Sequence, residues 1–556
     1  MSLIKVEMSE GRISMVPFPK ERVIGGRAMV DDLMTQYGSP TLHPLSKESL
    51  FIVAPGLLAG TNAPSSGRLS VGGKSPLTGG IKEANVGGTP GHRLGRLGIK
   101  AIMVEGKASE WQVLKIDSKG ACLEKAGEVV GMTNYAACER LRKRYGEDVG
   151  ILIVGPAGEM KLVNSTVAAT DPEGRPSRHA ARGGVGAIMV AKGLKAIVID
   201  DKGLAMRKAV DQDAFKEAVK TAISAIQEIP YVPVFHEFGT AASLDNDQAM
   251  GSLPTKNHRL GSFDRYQNIN AKKMVELCTA RGGSMGHGCM PACVTRCSPI
   301  FHDSSGQFLT AALEYETLGA LGSNLGIDDM DAIAFLDRQC DELGLDTIEL
   351  GCTIGILNDA GLFDFGDVER AKELVKEIAE GTPLGRILGS GVAVTARVFG
   401  IDRVPAVKGQ AIPMHAGRSI KGWGVTYATS PQGADHTAGV VVDEPLSPIG
   451  QVERSRGSQI AFAALDAAGL CMFTFLTGSP DVIAPMINAL YGVKWTVDDY
   501  LEMGKKMLHQ ERAFNIAAGI GPEADGLPDW MRREPFPPTN AVFDVSQDEI
   551  AKMFSF

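Results

Sequence analysis

The chain is short of several things, and each shortage excludes a class of function. Basic residues do not exceed acidic ones: 57 Lys and Arg stand against 65 Asp and Glu across 556 residues, a net charge of -8. With the two signs interspersed there is no basic field to draw in a phosphate backbone, so nucleic acid is not an expected partner. No stretch of eighteen uncharged apolar residues occurs, and the opening MSLIKVEMSEGRIS lacks an apolar run behind a basic segment, so neither a membrane span nor a secretory leader is read. Nine cysteines are too few and too scattered for a disulfide framework. These readings together predict a protein kept in the cytoplasm.

What the chain has in excess is glycine, 66 residues, dense in GGKSPLTGGIKEANVGGTPGHRLG and ARGGVGAIMVAKG. Hydrophobic strands interrupt these stretches, so they are not linkers. Glycine at that density serves tight turns, and it also lets backbone amides approach a ligand. The length exceeds what one hydrophobic core serves and is enough to enclose a large cofactor. Residues 1–203 alternate β-rich runs (LFIVAPG, AIMVEGKA, WQVLKI, GILIVGP, KAIVID) with glycine loops, which predicts a β domain. From about 210 helical periodicity takes over in DQDAFKEAVKTAISAIQEI, MDAIAFLDRQCDEL, VERAKELVKEIAEG and GSQIAFAALDAAG. The Gly-, Pro- and His-rich stretch 401–440 is poor in helical pattern, which places a boundary between helical domains 204–400 and 401–556.

One motif occurs twice. Asp341-Glu-Leu-Gly-Leu-Asp346 and Asp466-Ala-Ala-Gly-Leu-Cys471 share Asp-x-x-Gly-Leu-(Asp/Cys) at the ends of amphipathic helices. Glycine there is a common C-cap. Each copy also sets an aspartate before the cap and a ligand-capable residue after it, as two similar ligands would require. Cys289, Cys293 and Cys297 form a second constellation. On a straight helix they would climb about 6 Å per step, roughly 12 Å end to end, too far for one cubane. Pro291 and the preceding glycines instead predict an irregular loop that folds three thiolates around an iron-sulfur cluster. Cys471 is the preferred fourth ligand, with Cys278 as the alternative; Cys122, Cys138, Cys340 and Cys352 read as ordinary core cysteines.

Further runs carry a resemblance. Ala63-Pro-Ser-Ser-Gly-Arg68, Lys74 to Gly80, Glu83-Ala-Asn-Val-Gly-Gly88, Gly155-Pro-Ala-Gly-Glu and Arg178 to Met189 resemble, in order, the amino-terminal domain of aldehyde ferredoxin oxidoreductases. Glu314-Tyr-Glu-Thr, Gly322 to Ile327, Tyr427 to His436 and both Asp-x-x-Gly-Leu motifs resemble the rest of that family. The resemblance implies an α+β fold, an amino-terminal double β-sheet domain followed by two mostly helical domains, with a tungsten or molybdenum bis-pterin at their junction beside a [4Fe-4S] cluster. It implies that Arg68, Asn85 and Gly87 meet one pterin, and that Arg178, His179, Ala181 and Arg182 lie at the pterin phosphates. Carbonyls near Asn85 and His179 are then left for a bridging magnesium ion. Asp341, Leu345 and Asp346 would hold one pterin ring, Asp466 and Leu470 the other. Glu316 and His436 take the proton-handling positions, with Tyr315 as a nearby hydrogen-bond donor.

The implied activity is oxidation of an aldehyde to a carboxylate, with electrons leaving through the cluster to ferredoxin or an iron-sulfur partner subunit; a homo-oligomer is compatible with it. An aromatic acyl-CoA reductase subunit and a non-catalytic pterin-binding subunit are the alternatives. The chain departs from the family in three places. Its cysteine spacing is Cys-x-x-x-Cys-x-x-x-Cys where the family has Cys-x-x-Cys-x-x-x-Cys; matching Cys289 and Cys293 to the last two family positions would put the first on Gly286. Ala438 replaces a basic residue, and the stretch Pro413-Met-His415-Ala-Gly-Arg418 lacks an aspartate before its arginine.

Overall fold

The computed structural model describes residues 1–474 and 480–556. The first 200 residues build two six-stranded sheets with one topology used twice. In the first, a hairpin of β1 (Ser2–Glu7) and β2 (Arg12–Pro17) precedes β3 (Phe51–Pro55), β4 (Leu69–Lys74), β5 (Ile81–Val86) and β6 (Ile99–Glu105), in the order β2-β1-β6-β3-β4-β5. In the second, β7 (Gln112–Asp117) and β8 (Gly120–Lys125) precede β9 (Gly150–Ile153), β10 (Val167–Ala169), β11 (Arg178–Ala180) and β12 (Leu194–Ile199), in the order β8-β7-β12-β9-β10-β11. Each hairpin closes by a parallel pairing of its first strand with the last strand of the unit, and the other pairings are antiparallel. The two sheets share one core: Val53, Leu69, Val71 and Ile102 of the first join Leu152, Val167, Ile197 and Ile199 of the second. Strands buried on both faces need near-continuous apolar runs, which Phe51-Ile-Val-Ala and Gly150-Ile-Leu-Ile supply.

The duplication explains the repeated Asp-x-x-Gly-Leu motif. Helix Met330–Leu343 begins on Asp329, whose carboxylate accepts from the amides of Asp331 and Ala332, and ends on Gly344 with φ 75°. Helix Gln451–Ala468 ends on Gly469 with φ 76°. Beyond each cap the chain adds a short antiparallel bridge to the β domain, Leu345 with Ser165 and Leu470 with Ser66. The next amide donates likewise: Asp346 to the Asn164 carbonyl at 3.1 Å, Cys471 to the Ser65 carbonyl at 3.0 Å. The contact is close enough to demand glycine on the sheet side. A Cβ on Gly56 would lie 2.2 Å from the Gly469 Cα, and one on Gly155 would lie 2.4 Å from the Leu343 carbonyl oxygen.

Packing in the helical part joins segments far apart in sequence. Helix Gln212–Gln227 buries Phe215, Val219, Ala222 and Ile226 against Ile483, Met486, Ile487 and Leu490 of helix Pro480–Tyr491. A second core gathers Leu313, Ile333, Leu336, Ile354 and Leu374 and reaches from Ala157 to Met414. Helix 212–227 thus packs against a helix from beyond the boundary expected near residue 400. A small sheet, Ser284–His287, Ser298–His302 and Phe308–Thr310, frames the cysteine loop.

Candidate active site

A cavity of about 710 Å³ lies where the β domain meets the helices. Its wall includes Arg68, Asn85 and Gly87 from the first sheet unit, Arg178, His179, Ala181 and Arg182 from the second, and Asp341, Leu345, Asp346 and Asp466 from the paired motifs. Tyr315, Glu316 and His436 close another side, and Cys289, Cys297 and Cys471 a third. Leu470 stands behind the wall, held by its bridge to Ser66.

The cysteines come together around Ser65. That residue, at φ 50°, donates its amide to the Ala292 carbonyl at 2.7 Å, accepts the Val294 amide on its hydroxyl at 3.0 Å and accepts the Cys471 amide on its carbonyl. One serine thereby joins the 289–297 loop to the second motif. Cys289, Met290 and Cys471 pack as one cluster with Cys293 against it, while Cys297 sits beside Phe235. The thiols act on one another's ionisation. A hydrogen bond from the Cys293 thiol, working against burial and assisted by Arg178 and Arg68, brings the Cys289 thiol down to about 6. The Cys297 thiol is pushed up by burial, then by Glu314, Cys289 and Cys471. Cys278 packs among Met274 and Phe301 of the helical core, away from this group.

Among the described residues, the only His, Cys, Asp and Glu group tight enough for a single ion is Asp171, Glu173 and His287, with ligand atoms within 4.8 Å of one another. Arg175 fills it, at 2.7 Å from both carboxylates and 3.3 Å from His287. The four cysteines do not form such a single-ion group.

The arginines differ in what they have left to offer. Arg182 is spent on the protein, donating to Asp346 at 3.2 Å, Ala434 at 2.6 Å and Ala411 at 2.7 Å. Arg178 donates to Ser298 at 3.0 Å and to Ala311, with its Nε buried and unpartnered. Arg68 binds Asn85 through Nε, and its Nη1 points toward Gly87, where a Cβ would lie 3.6 Å from it and 3.5 Å from the Cys289 sulfur. His179 accepts or donates at Nδ1 to Thr166 at 2.7 Å; its Nε2 lies 3.0 Å from an Asp341 oxygen without the alignment of a hydrogen bond. Asp466 meets Arg27 at 3.2 Å, and Arg27 in turn grips Glu511. Burial lifts the Asp466 carboxyl to about 6 against the pull of Arg27, and lifts neighbouring Glu83 to about 8 with help from Asp466.

Glu316 Oε2 accepts the Met414 amide at 2.8 Å, while Oε1 is buried without a hydrogen-bond partner. It lies 3.9 Å from His436 Nδ1, which is equally unpartnered. Burial lowers the His436 imidazole below its usual 6.5, only partly offset by Glu316 and Asp435. The Tyr315 hydroxyl is spent on the Met414 carbonyl, so the donor expected there orients the protein instead. Sequence reasoning missed Asp247 and Arg27, and gave no role to Ser65 and Glu83 within the motifs it quoted. It quoted His415 without a role, and the structure sets that ring between Tyr315 and Trp423 at the cavity wall. No local pattern marks Asp247 or Arg27, whose partners lie far along the chain.

Comparison with known proteins agrees with this architecture. Residues 3–201 match the profile of the aldehyde ferredoxin oxidoreductase N-terminal domain, and residues 217–555 that of domains 2 and 3. The chain is 32% identical to the tungsten-containing aldehyde ferredoxin oxidoreductase of Pyrococcus horikoshii, covering 96% of this chain and 92% of that protein. It is also 32% identical to the protein of the same description from Pyrococcus furiosus, with 96% and 91% covered. The active-site complex of a benzoyl-coenzyme A reductase with 1,5-dienoyl-CoA superposes with a TM-score of 0.82 at 19% identity, over 95% of this chain and 90% of that one, a likeness of fold. With both halves matched in order and the same motifs gathered around one cavity, the chain belongs to the aldehyde ferredoxin oxidoreductase family and is an oxidoreductase.

Proposed function

We propose that the cavity holds a tungsten bis-pterin, that Cys289, Cys293, Cys297 and Cys471 hold a [4Fe-4S] cluster beside it, and that the protein oxidises an aldehyde to its carboxylic acid. Tungsten is taken from the names of the relatives; pterin sulfur would bind molybdenum as well. The observation that carries the reading is a set of buried polar atoms without hydrogen-bond partners in residues that line this one cavity: Arg178 Nε, Glu316 Oε1 and His436 Nδ1. Buried polar atoms without partners are rare, and several of them in residues around one cavity point to a ligand. At about 710 Å³ the cavity suits a large cofactor with a small substrate.

The donor set fits the group. Pterin rings present N–H donors, which the carboxylates of Asp341, Asp346 and Asp466 can accept, and phosphates need free guanidinium donors, which Arg68 has. Asn85 and His179 stand on the corresponding strands β5 and β11 of the two sheet units, and carbonyls there would hold a magnesium ion. When bound, the metal centre supplies the two-electron redox change and the cluster carries electrons outward. Glu316 takes a proton as water oxygen is added to the carbonyl carbon and hands it to His436, which burial keeps neutral. Ala292 and Arg296 of the cysteine loop are exposed, which gives ferredoxin or an iron-sulfur subunit a place to approach. No helix among the described residues is long and apolar enough to cross a membrane, and a reducing cytoplasm suits such a cluster.

The test is aldehyde-dependent reduction of a viologen dye by anaerobically purified protein, wild type against Glu316→Gln. The wild type should reduce the dye, and the variant should keep its metal and pterin while losing at least about a hundredfold in kcat. Near-normal turnover in the variant would end the catalytic assignment.

A further inference from the structure

His415 stands beside the Glu316 oxygen that the Met414 amide does not hold, in a setting built for a fixed charge. Its ring is clamped between two aromatic faces, Tyr315 at 4.5 Å between centroids and Trp423 at 4.9 Å with only 5° between planes. Nδ1 lies 2.9 Å from an Asp247 oxygen, and the other Asp247 oxygen accepts the Ser252 hydroxyl at 2.6 Å, so the carboxylate cannot swing away. The Tyr427 hydroxyl donates to the His415 carbonyl at 3.1 Å and pins the backbone. With orientation thus determined, Nε2 is left facing Glu316 Oε1 at 3.7 Å. That same oxygen faces His436 Nδ1 at 3.9 Å, and the two imidazole centroids are 6.4 Å apart.

We propose that Asp247 and His415 form a fixed ion pair behind Glu316 that sends protons arriving on that carboxylate to His436. The inference rests on the assignment of Glu316 as the proton acceptor. His415 is a positioning residue in this scheme, acting through Glu316 and not on the substrate.

The charges around the two rings set the direction. His415 is faced by Asp247 from helix Ala242–Met250, by Glu316 and Tyr315 from helix Tyr315–Leu321, by Trp423 and Tyr427 from helix Lys421–Thr429, and by His436. Burial would discharge it, yet Asp247 and then Glu316 outweigh that cost and raise it above the usual 6.5. His436 is lowered, and the positive charge of His415 is one of the causes. One imidazole is therefore charged and the other neutral over the same pH range. A charged His415 has no free ring nitrogen to take a proton from Glu316 Oε1, whereas neutral His436, facing the same oxygen, has one, so a proton placed on Glu316 moves to His436. Without His415 that positive charge is absent from one side of Glu316 Oε1, and the two sides of the carboxyl no longer differ in charge.

Histidine-labelled protein titrated by NMR, with His415→Gln and His436→Gln to assign the two signals, tests the pair without reference to turnover. The His415 signal should titrate above 6.5 in the wild type and move down in Asp247→Asn, and the His436 midpoint should rise in His415→Gln. In turnover, Asp247→Asn and His415→Gln with metal and pterin retained should lose about tenfold in kcat with little change in KM. The alkaline limb of the kcat profile, where His415 loses its charge as pH rises, should shift to lower pH in Asp247→Asn. A His415 midpoint at or below 6.5, or a His436 midpoint unmoved in His415→Gln, overturns the proposal, as does a kcat within about twofold of wild type in both variants. If the wild type oxidises no aldehyde while both NMR shifts occur, the aldehyde reading fails and the ion pair stands.

Discussion

Glu316 Oε1 and His436 Nδ1 face each other at 3.9 Å across the cavity wall, both buried, both without a hydrogen-bond partner, and 120 residues apart in sequence. The pair gives the pH dependence a sign. His436 must be neutral to accept a proton, and its imidazole is held below 6.5. Activity should therefore persist as pH falls through 6.5 and drop only below it, when the ring finally charges. An acid limb centred above 6.5 in the kcat profile, or one unmoved in His436→Gln, would count against this role.

The cysteine assignment predicts that Cys297→Ser and Cys471→Ser each lose or alter the cluster signal in electron paramagnetic resonance, while Cys278→Ser leaves it unchanged. Cys278 belongs to the helical core, and Cys471 is fastened to the 289–297 loop through Ser65. A wild-type signal in Cys297→Ser would move the ligand set to another register.

Asp341→Ala and Asp466→Ala should each lower pterin content while far-ultraviolet circular dichroism stays unchanged. The two will not be equal in stability. Asp466 balances Arg27, whereas Asp341 faces His179 Nε2 and the Tyr135 hydroxyl, so Asp466→Ala also disturbs a buried ion pair. Full pterin occupancy in both variants would refute the paired-motif assignment.

Arg27 donates to both oxygens of Glu511, at 2.7 and 2.9 Å, and to Asp466, with Asp31 and Glu83 also close by. Arg27→Met leaves these carboxyls without their cation and should destabilise by about 3–5 kcal/mol, partly restored by adding Glu511→Gln. The cost should grow as pH rises. Carboxyls lifted further in the folded state keep protons that the unfolded chain releases, so stability is lost from the ordinary carboxyl range upward. A melting temperature difference that is flat with pH would contradict this charge account.

Those long pairings mark the limit of what the sequence discloses. That Asp341, Asp346, Asp466 and Cys471 stand in two like settings was legible because a helix cap is local: the spacing from aspartate through glycine to the residue after the cap lies within six residues. The β domain was legible from apolar runs and turn glycines. That its two sheets repeat one topology was not, since β3 and β9 are alike in their place in the strand order and not in their residues. Periodicity showed that Phe215, Val219 and Ile226 share a buried face, but not that Ile483 and Ile487 cover it, hence the boundary drawn near 400 cuts across packed helices. Asp247 lies 168 residues before His415 and makes sense only beside it.

The central claim is a metal bis-pterin and an iron-sulfur cluster in one chain, and elemental analysis of anaerobically purified protein tests it most directly. The account predicts about four irons per chain, with tungsten or molybdenum and a pterin released on denaturation. Iron without either heavier metal and without pterin, in protein whose fold is intact, would contradict it.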